Sequence, residues 1–159
     1  MSDRLTIELQ DDELSRWLNH AIDKLEHPGE LLDLIGATLE ANTAQRLDDF
    51  KADPAGLPWD GLRPSTKRAY QKKYDGNVPG SLLIRADQGM RSGLTHNLTD
   101  GGRAVEIGFD KPYAMFHEFG TKHMARRGLL TAVPETGTLG DYDREDVIQL
   151  IERYLQDLL

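Results

Sequence analysis

Leu14, Trp17, Leu18, Ala21, Ile22 and Leu25 recur at i, i+3, i+4 spacing, which places one apolar stripe along a helix. Asp11 or Asp12 is positioned to cap that helix by accepting backbone N–H bonds, and Pro28-Gly29 stops it. Upstream, Leu5, Ile7 and Leu9 alternate with Thr6 and Glu8, the period of a short half-buried strand. A second helix is expected from about Glu30 to about Phe50, with Leu31, Leu34, Ile35, Leu39 and Leu47 turned inward. Its centre is a weaker helix former because it holds Gly36, Thr38, Asn42 and Thr43. Two helices joined across a Pro-Gly break predict an antiparallel hairpin.

Residues 52–80 read as loop, since they hold Pro54, Pro58, Pro64 and Pro79 together with Gly56, Gly61, Gly76 and Gly80. Within them Pro64-Ser65 opens a short helix through Lys72, with Ser65 or Thr66 as the cap. Ala86 to Ser92 is expected to form one or two further helical turns. LTHNL and RAVEIGF are alternating runs separated by Thr99-Asp100-Gly101-Gly102, a turn sequence suited to positive φ, and predict a hairpin. A short helix containing Tyr113, Phe116 and Phe119 as packing anchors should follow and stop at Gly120, with GLLTAV (128–133) as the next strand. Asp141 to Leu159 closes the chain as an amphipathic helix, with Val147, Ile148, Ile151, Tyr154, Leu155 and Leu158 on one face. The fold class is therefore α+β: an N-terminal helical hairpin arm, a small antiparallel sheet with short helices, and a C-terminal amphipathic helix. One domain is expected over 1–159, with 1–52 an acidic helical arm and 53–80 a basic Pro/Gly-rich loop region.

Composition narrows this picture. The 159 residues are 38% apolar, enough for one modest core. There is no cysteine, which removes disulfides and thiolate metal sites and fits a reducing compartment. The N-terminal stretch lacks the apolar run of a signal peptide, and no stretch approaches the ~20 apolar residues of a membrane span. A cytosolic protein without a membrane partner is expected. The net charge of -8 argues against general nucleic-acid binding. The charge is unevenly spread, however. Residues 1–62 carry 5 basic and 14 acidic side chains, and residues 63–91 carry 7 basic and 2 acidic. Such a split provides complementary patches within one molecule or between copies, or simply two solvated faces.

The candidate chemistry is thin. His117-Glu118 with His123 looks like the opening of a zinc-protease motif, but that motif needs two histidines four residues apart on one helical face. Six steps leave the two imidazoles about 120° apart around a helix, or roughly 20 Å apart on a strand. Neither a nucleophile elbow nor a phosphate-binding glycine loop is present. Asp141, Asp143 and Glu145 lack the glycine and distal glutamate of a calcium loop and are expected to cap the last helix and favour its positive N-terminal end. No catalytic residue, metal or cofactor is expected. Arg63, Lys67, Arg68, Lys72 and Lys73, interleaved with Tyr70 and Tyr74, are suited to phosphates or to acidic helices of a neighbouring copy.

Four separated stretches then match one pattern: LPWDGLRPSTKRAYQKK, LLIRADQGMRSGL, RAVEIGFDKPYAMFHEFGT and MARRGLLTA. In this order they resemble the phage virion morphogenesis family, the tail-completion proteins of Mu-like and P2-like tailed phages. Trp59, Leu62, Ser65, Thr66 and Lys67 match the first block, and Leu83, Ile84 and Gly89 the second. Val105, Ile107, Gly108, Tyr113, Ala114, His117, Glu118 and Gly120 match the third, and Tyr113 to Gly120, with Phe116 and Phe119, form the structural signature. The last block keeps Ala125, Arg126 and Leu130 but lacks the family's two prolines and its phenylalanine. The resemblance implies no enzymatic activity. It implies a small α+β protein that completes the tail and joins it to the head at the neck, as a ring of identical copies with six as one count. The ring's partners would be the tail tube or tail terminator and head-connector proteins, with DNA passing through its lumen. Trp59, Arg63, Lys67, Arg68, Lys72, Lys73, Arg126 and Arg127 are the candidate interface. A DNA-contacting accessory protein using 63–73 is the alternative reading. The implied place is the virion neck, reached from the host cytoplasm during assembly.

Overall fold

A computed structural model describes residues 12–76 and 89–157, with side chains from Arg16 onward. The expected strand over 5–9 and the start of the helical turn at Ala86 lie outside these residues. Among the described residues the order is α1 (Asp12–Glu26), α2 (Gly29–Gln45), α3 (Pro64–Lys73), β1 (Leu94–Thr99), β2 (Ala104–Phe109), α4 (Ala114–Phe119) and α5 (Asp141–Gln156). The fold is mixed α+β, as the periodicities indicate.

α2 is the spine. It continues into one wider π-turn, Arg46–Phe50, closed by the Lys51 N–H donating to the Arg46 carbonyl at 2.8 Å. Lys51 then takes a left-handed conformation (φ 50°) and ends the 22-residue helical run. One side of α2 lies on the β-hairpin, and α5 packs against it too. Ile35 and Leu39 meet Leu150 in one buried cluster, with Val105, Ile107, Val147 and Ile151 around it. Gly36 permits the close approach to the sheet: a Cβ there would sit 2.5 Å from the His96 ring. Beyond it, Leu47 joins Trp59, Met90, Ala114 and Leu129 in a second cluster, flanked by Phe109, Tyr113 and Leu130.

β1 and β2 pair antiparallel, Leu94 opposite Phe109 and Thr99 opposite Ala104. Their turn has positive φ at Asp100, Gly101 and Gly102, as its sequence predicts.

Four expectations are corrected. α1 and α2 follow one another but do not pack side by side, and Trp17, Leu18, Ile22 and Leu25 remain exposed. The hairpin arm is therefore open, and α2 belongs to the body of the fold. α3 begins at Pro64 with Arg63 as its cap position, and neither Ser65 nor Thr66 caps it. Pro64 is pre-organised for the first helical position, which puts Ser65 and Thr66 inside the first turn, where neither can hold the non-helical cap conformation. GLLTAV is not a ladder strand, because the N–H groups of residues 129–131 are bonded to a side-chain carboxylate. Asp143 is no helix cap. It is buried and bonded across to α2.

Candidate functional site: a carboxylate latch and a bare basic helix

The signature stretch Tyr113–Gly120 sits where all four sequence blocks converge, through Trp59, Met90, Ala114 and Leu129 in one buried cluster. α4 is a turn and a half long and turns Ala114 and Glu118 inward. The Glu118 carboxylate is buried and accepts from the Leu129 N–H at 2.6 Å, the Leu130 N–H at 3.0 Å and the Thr131 N–H at 3.0 Å. The Thr131 hydroxyl donates to the same group. An ionised carboxylate can accept from several donors at once, so one side chain replaces a strand partner for three residues of backbone.

Neighbouring residues complete the latch. Arg126 donates to the Glu118 carbonyl at 2.8 Å and the Thr131 carbonyl at 2.6 Å, and reaches Asp53 at 3.5 Å. Arg127 donates to the carbonyls of Asp60 (2.9 Å) and Gly61 (3.2 Å), and the Trp59 indole N–H donates to the Gly128 carbonyl at 3.2 Å. Gly120 takes φ 72°, ψ 176°, a conformation essentially limited to glycine, and a Cβ there would stand 3.0 Å from the Arg126 backbone nitrogen.

These contacts settle how the sequence candidates are used. Glu118 and Gly120 hold the loop, and Tyr113 packs against the second cluster as an anchor. Phe116 and Phe119 are corrected: both point outward and are exposed. Trp59 and Arg127 are also corrected as interface residues, because they are buried within the chain, and Arg126 is tied to internal carbonyls. His117 is half-buried. Burial and the nearby Arg127 guanidinium lower its pKa below the usual histidine value. Its Nδ1 is buried without a partner among the described residues. His123 is exposed on the loop after α4.

The remaining candidates do stand outside. α3 has no buried residue. Arg63, Lys67, Arg68, Lys72 and Lys73 are all exposed and form no ion pair among the described residues. Tyr70 and Tyr74 meet edge to face at 5.7 Å, and the Lys73 ammonium lies 5.3 Å above the Tyr74 ring.

Two polar clusters were not singled out from the sequence. Arg46 donates to the buried Asp143 at 2.8 Å, to Thr43 at 3.0 Å and to the Leu129 carbonyl at 3.2 Å, and so links α2, α5 and the latched loop. Asn42 donates to Asp143 at 3.1 Å and Asp146 at 2.8 Å. The available signal was a lone arginine on the inward side of an otherwise apolar helix. His96, on β1, lies between two α2 carboxylates, Glu40 at 2.6 Å and Asp33 at 3.4 Å, and its pKa is raised by the hydrogen bond to Glu40.

The geometry defines a class first: an α+β scaffold whose signature residues fasten its own loops and whose open surface carries charge and apolar side chains. Comparison with protein families matches residues 9–156 to the phage virion morphogenesis family, and the chain belongs to it. It is a tail-family protein of phage morphogenesis, a structural family that in general is not enzymatic. No curated protein and no solved structure matches the chain. No helix among the described residues is long and apolar enough to cross a membrane.

Proposed function

We propose that the chain completes the phage tail and joins it to the head, acting at the neck as a ring of identical subunits. The observation that carries this reading is the Glu118 latch. The family-pattern residue Glu118 holds three residues of backbone in place, which suits an assembly part. The bare cationic helix α3 and the acidic α1–α2 surface supply opposite charge on different parts of one subunit, the arrangement a head-to-tail ring needs. The proposed partners are other copies of the chain, the tail end, and the head connector.

Particles made without the chain should accumulate as separate filled heads and finished tail tubes when viewed by electron microscopy. Joined, infectious particles in its absence would refute the reading. The exposed cations of α3, with two tyrosines beside them, favour a second reading in which this helix contacts DNA. A gel shift that weakens steeply with salt and vanishes on reversing the α3 charges would support it.

A further inference from the structure

Two apolar patches are left uncovered on different elements. On α1, Leu18, Ile22 and Leu25 are 44, 51 and 60% exposed, although they belong to the most regular apolar stripe of the chain. α1 is tied to the body along its other edge, where the Tyr154 hydroxyl donates to the Lys24 carbonyl at 3.1 Å and the Lys24 ammonium lies 5.2 Å above the Tyr154 ring. On α4, Met115, Phe116 and Phe119 are 58, 50 and 58% exposed. At helical spacing they share the side opposite the buried Ala114 and Glu118. An amphipathic helix that shows its apolar face to water, and an aromatic face beside a rigid latch, both mark interaction surfaces.

The exposed residues that flank the two patches along the chain carry opposite charge. Beyond Ile22 on α1 the helix surface turns to Asp23 and Glu26, both exposed. The α4 patch is followed at once by Lys122 and His123, also exposed, and Lys122 forms no ion pair among the described residues. Pairing α1 with α1 of another copy would bring carboxylates together, and pairing α4 with α4 would bring cations together. Pairing α1 with α4 buries both apolar faces and matches the flanking charges. Because the two patches are different surfaces, each subunit keeps one of each free for the next, which makes the contact head-to-tail.

We propose that α1 of one copy docks on the Met115–Phe116–Phe119 face of the next copy, with Glu26 and Asp23 beside Lys122. This rests on the ring reading above and names the surfaces that would build it.

The cysteine-free chain allows a direct test. Ile22→Cys and Phe119→Cys are made in the full chain, singly and together, and exposed to a mild oxidant at concentrations where light scattering reads the assembly state. The pairing predicts cross-linked dimers from an equimolar mixture of the single variants and a ladder from the double variant. Glu26→Lys should reduce the cross-linked yield several-fold, and adding Lys122→Glu should restore it. Dimers from Ile22→Cys alone would show α1 pairing with itself and overturn the proposal. Assembly by light scattering without the mixed cross-link would overturn the pairing while leaving the ring reading intact. A chain that stays monomeric and uncross-linked at every concentration would overturn the pairing and weaken the ring reading with it.

Discussion

Glu118 shows how much of this fold rests on a single side chain. It is the acceptor for three consecutive backbone N–H groups. Glu118→Ala should therefore destabilise by about 3 kcal/mol or more, since each buried donor left without an acceptor costs roughly 1–3 kcal/mol. Denaturant unfolding reads this directly, and an unchanged midpoint would contradict the latch. Asp143 behaves differently because its partner is a charge. Removing it alone leaves the Arg46 guanidinium buried and uncompensated, so Asp143→Ala should cost about 3–5 kcal/mol. Replacing both together, Arg46→Met with Asp143→Leu, should recover most of that loss, because the double change removes the desolvation cost of both ions. A double variant as unstable as the single one would show that the guanidinium's bonds to Thr43 and Leu129 matter more than the ion pair. Both residues were hard to read from the sequence for one reason. Glu118 looked like part of a His-Glu motif and Asp143 like a helix-start acid, and only folding shows where a carboxylate's acceptors are used.

At the scale of elements, periodicity was a good guide wherever one face is buried inside the chain. The β-hairpin is placed by its alternation and its Asp100-Gly101-Gly102 turn, and α2 and α5 exist where their apolar stripes put them. Leu34 and Leu155, expected inward, are nevertheless exposed, and Leu150, not expected there, is the buried leucine of α5. It misled at GLLTAV, whose strand-like composition fits an extended segment bonded to a side chain as well as one in a sheet. It was also silent about whether the α1 stripe would be covered within the chain. Two predictions belong here. Gly120→Val should disrupt the α4 stop, because φ 72° with ψ 176° is closed to a β-branched residue and the new Cβ would press on Arg126. A variant with wild-type stability and assembly would contradict that. The junction of α2 with β1 should respond to pH through His96. Its pKa is raised by Glu40 and Asp33, so its contribution is fully present below the unfolded value near 6.5 and is lost as pH rises through the higher folded value. Between pH 6 and 8.5 the wild type should lose stability that His96→Gln does not lose. Parallel curves would remove His96 from the account.

For the molecule as a whole, composition and charge only excluded classes, and the order of the four sequence blocks carried the reading. Those four blocks meet in space: Trp59 with Gly128, Arg127 with Asp60 and Gly61, Glu118 with residues 129–131, and Met90 in the buried cluster with Trp59, Ala114 and Leu129. The same convergence explains why Trp59 and Arg127 proved internal although they stood in the candidate interface. What the blocks left outside is α3. Reversing Lys67, Arg68, Lys72 and Lys73 to glutamate should leave stability within ~0.5 kcal/mol, as surface changes away from buried contacts do. The same variant should assemble poorly and yield few joined particles. Normal assembly of a well-folded quadruple variant would detach α3 from the assembly role.

The most direct measurement of the central claim is a cryo-microscopy map of the virion neck. The account predicts a closed ring of copies of this chain between the tail end and the head connector, each copy with its Glu118 latch inside the subunit and its α3 on a contact surface. A neck whose density contains no copy of the chain, or holds it only as isolated subunits along DNA, would contradict it.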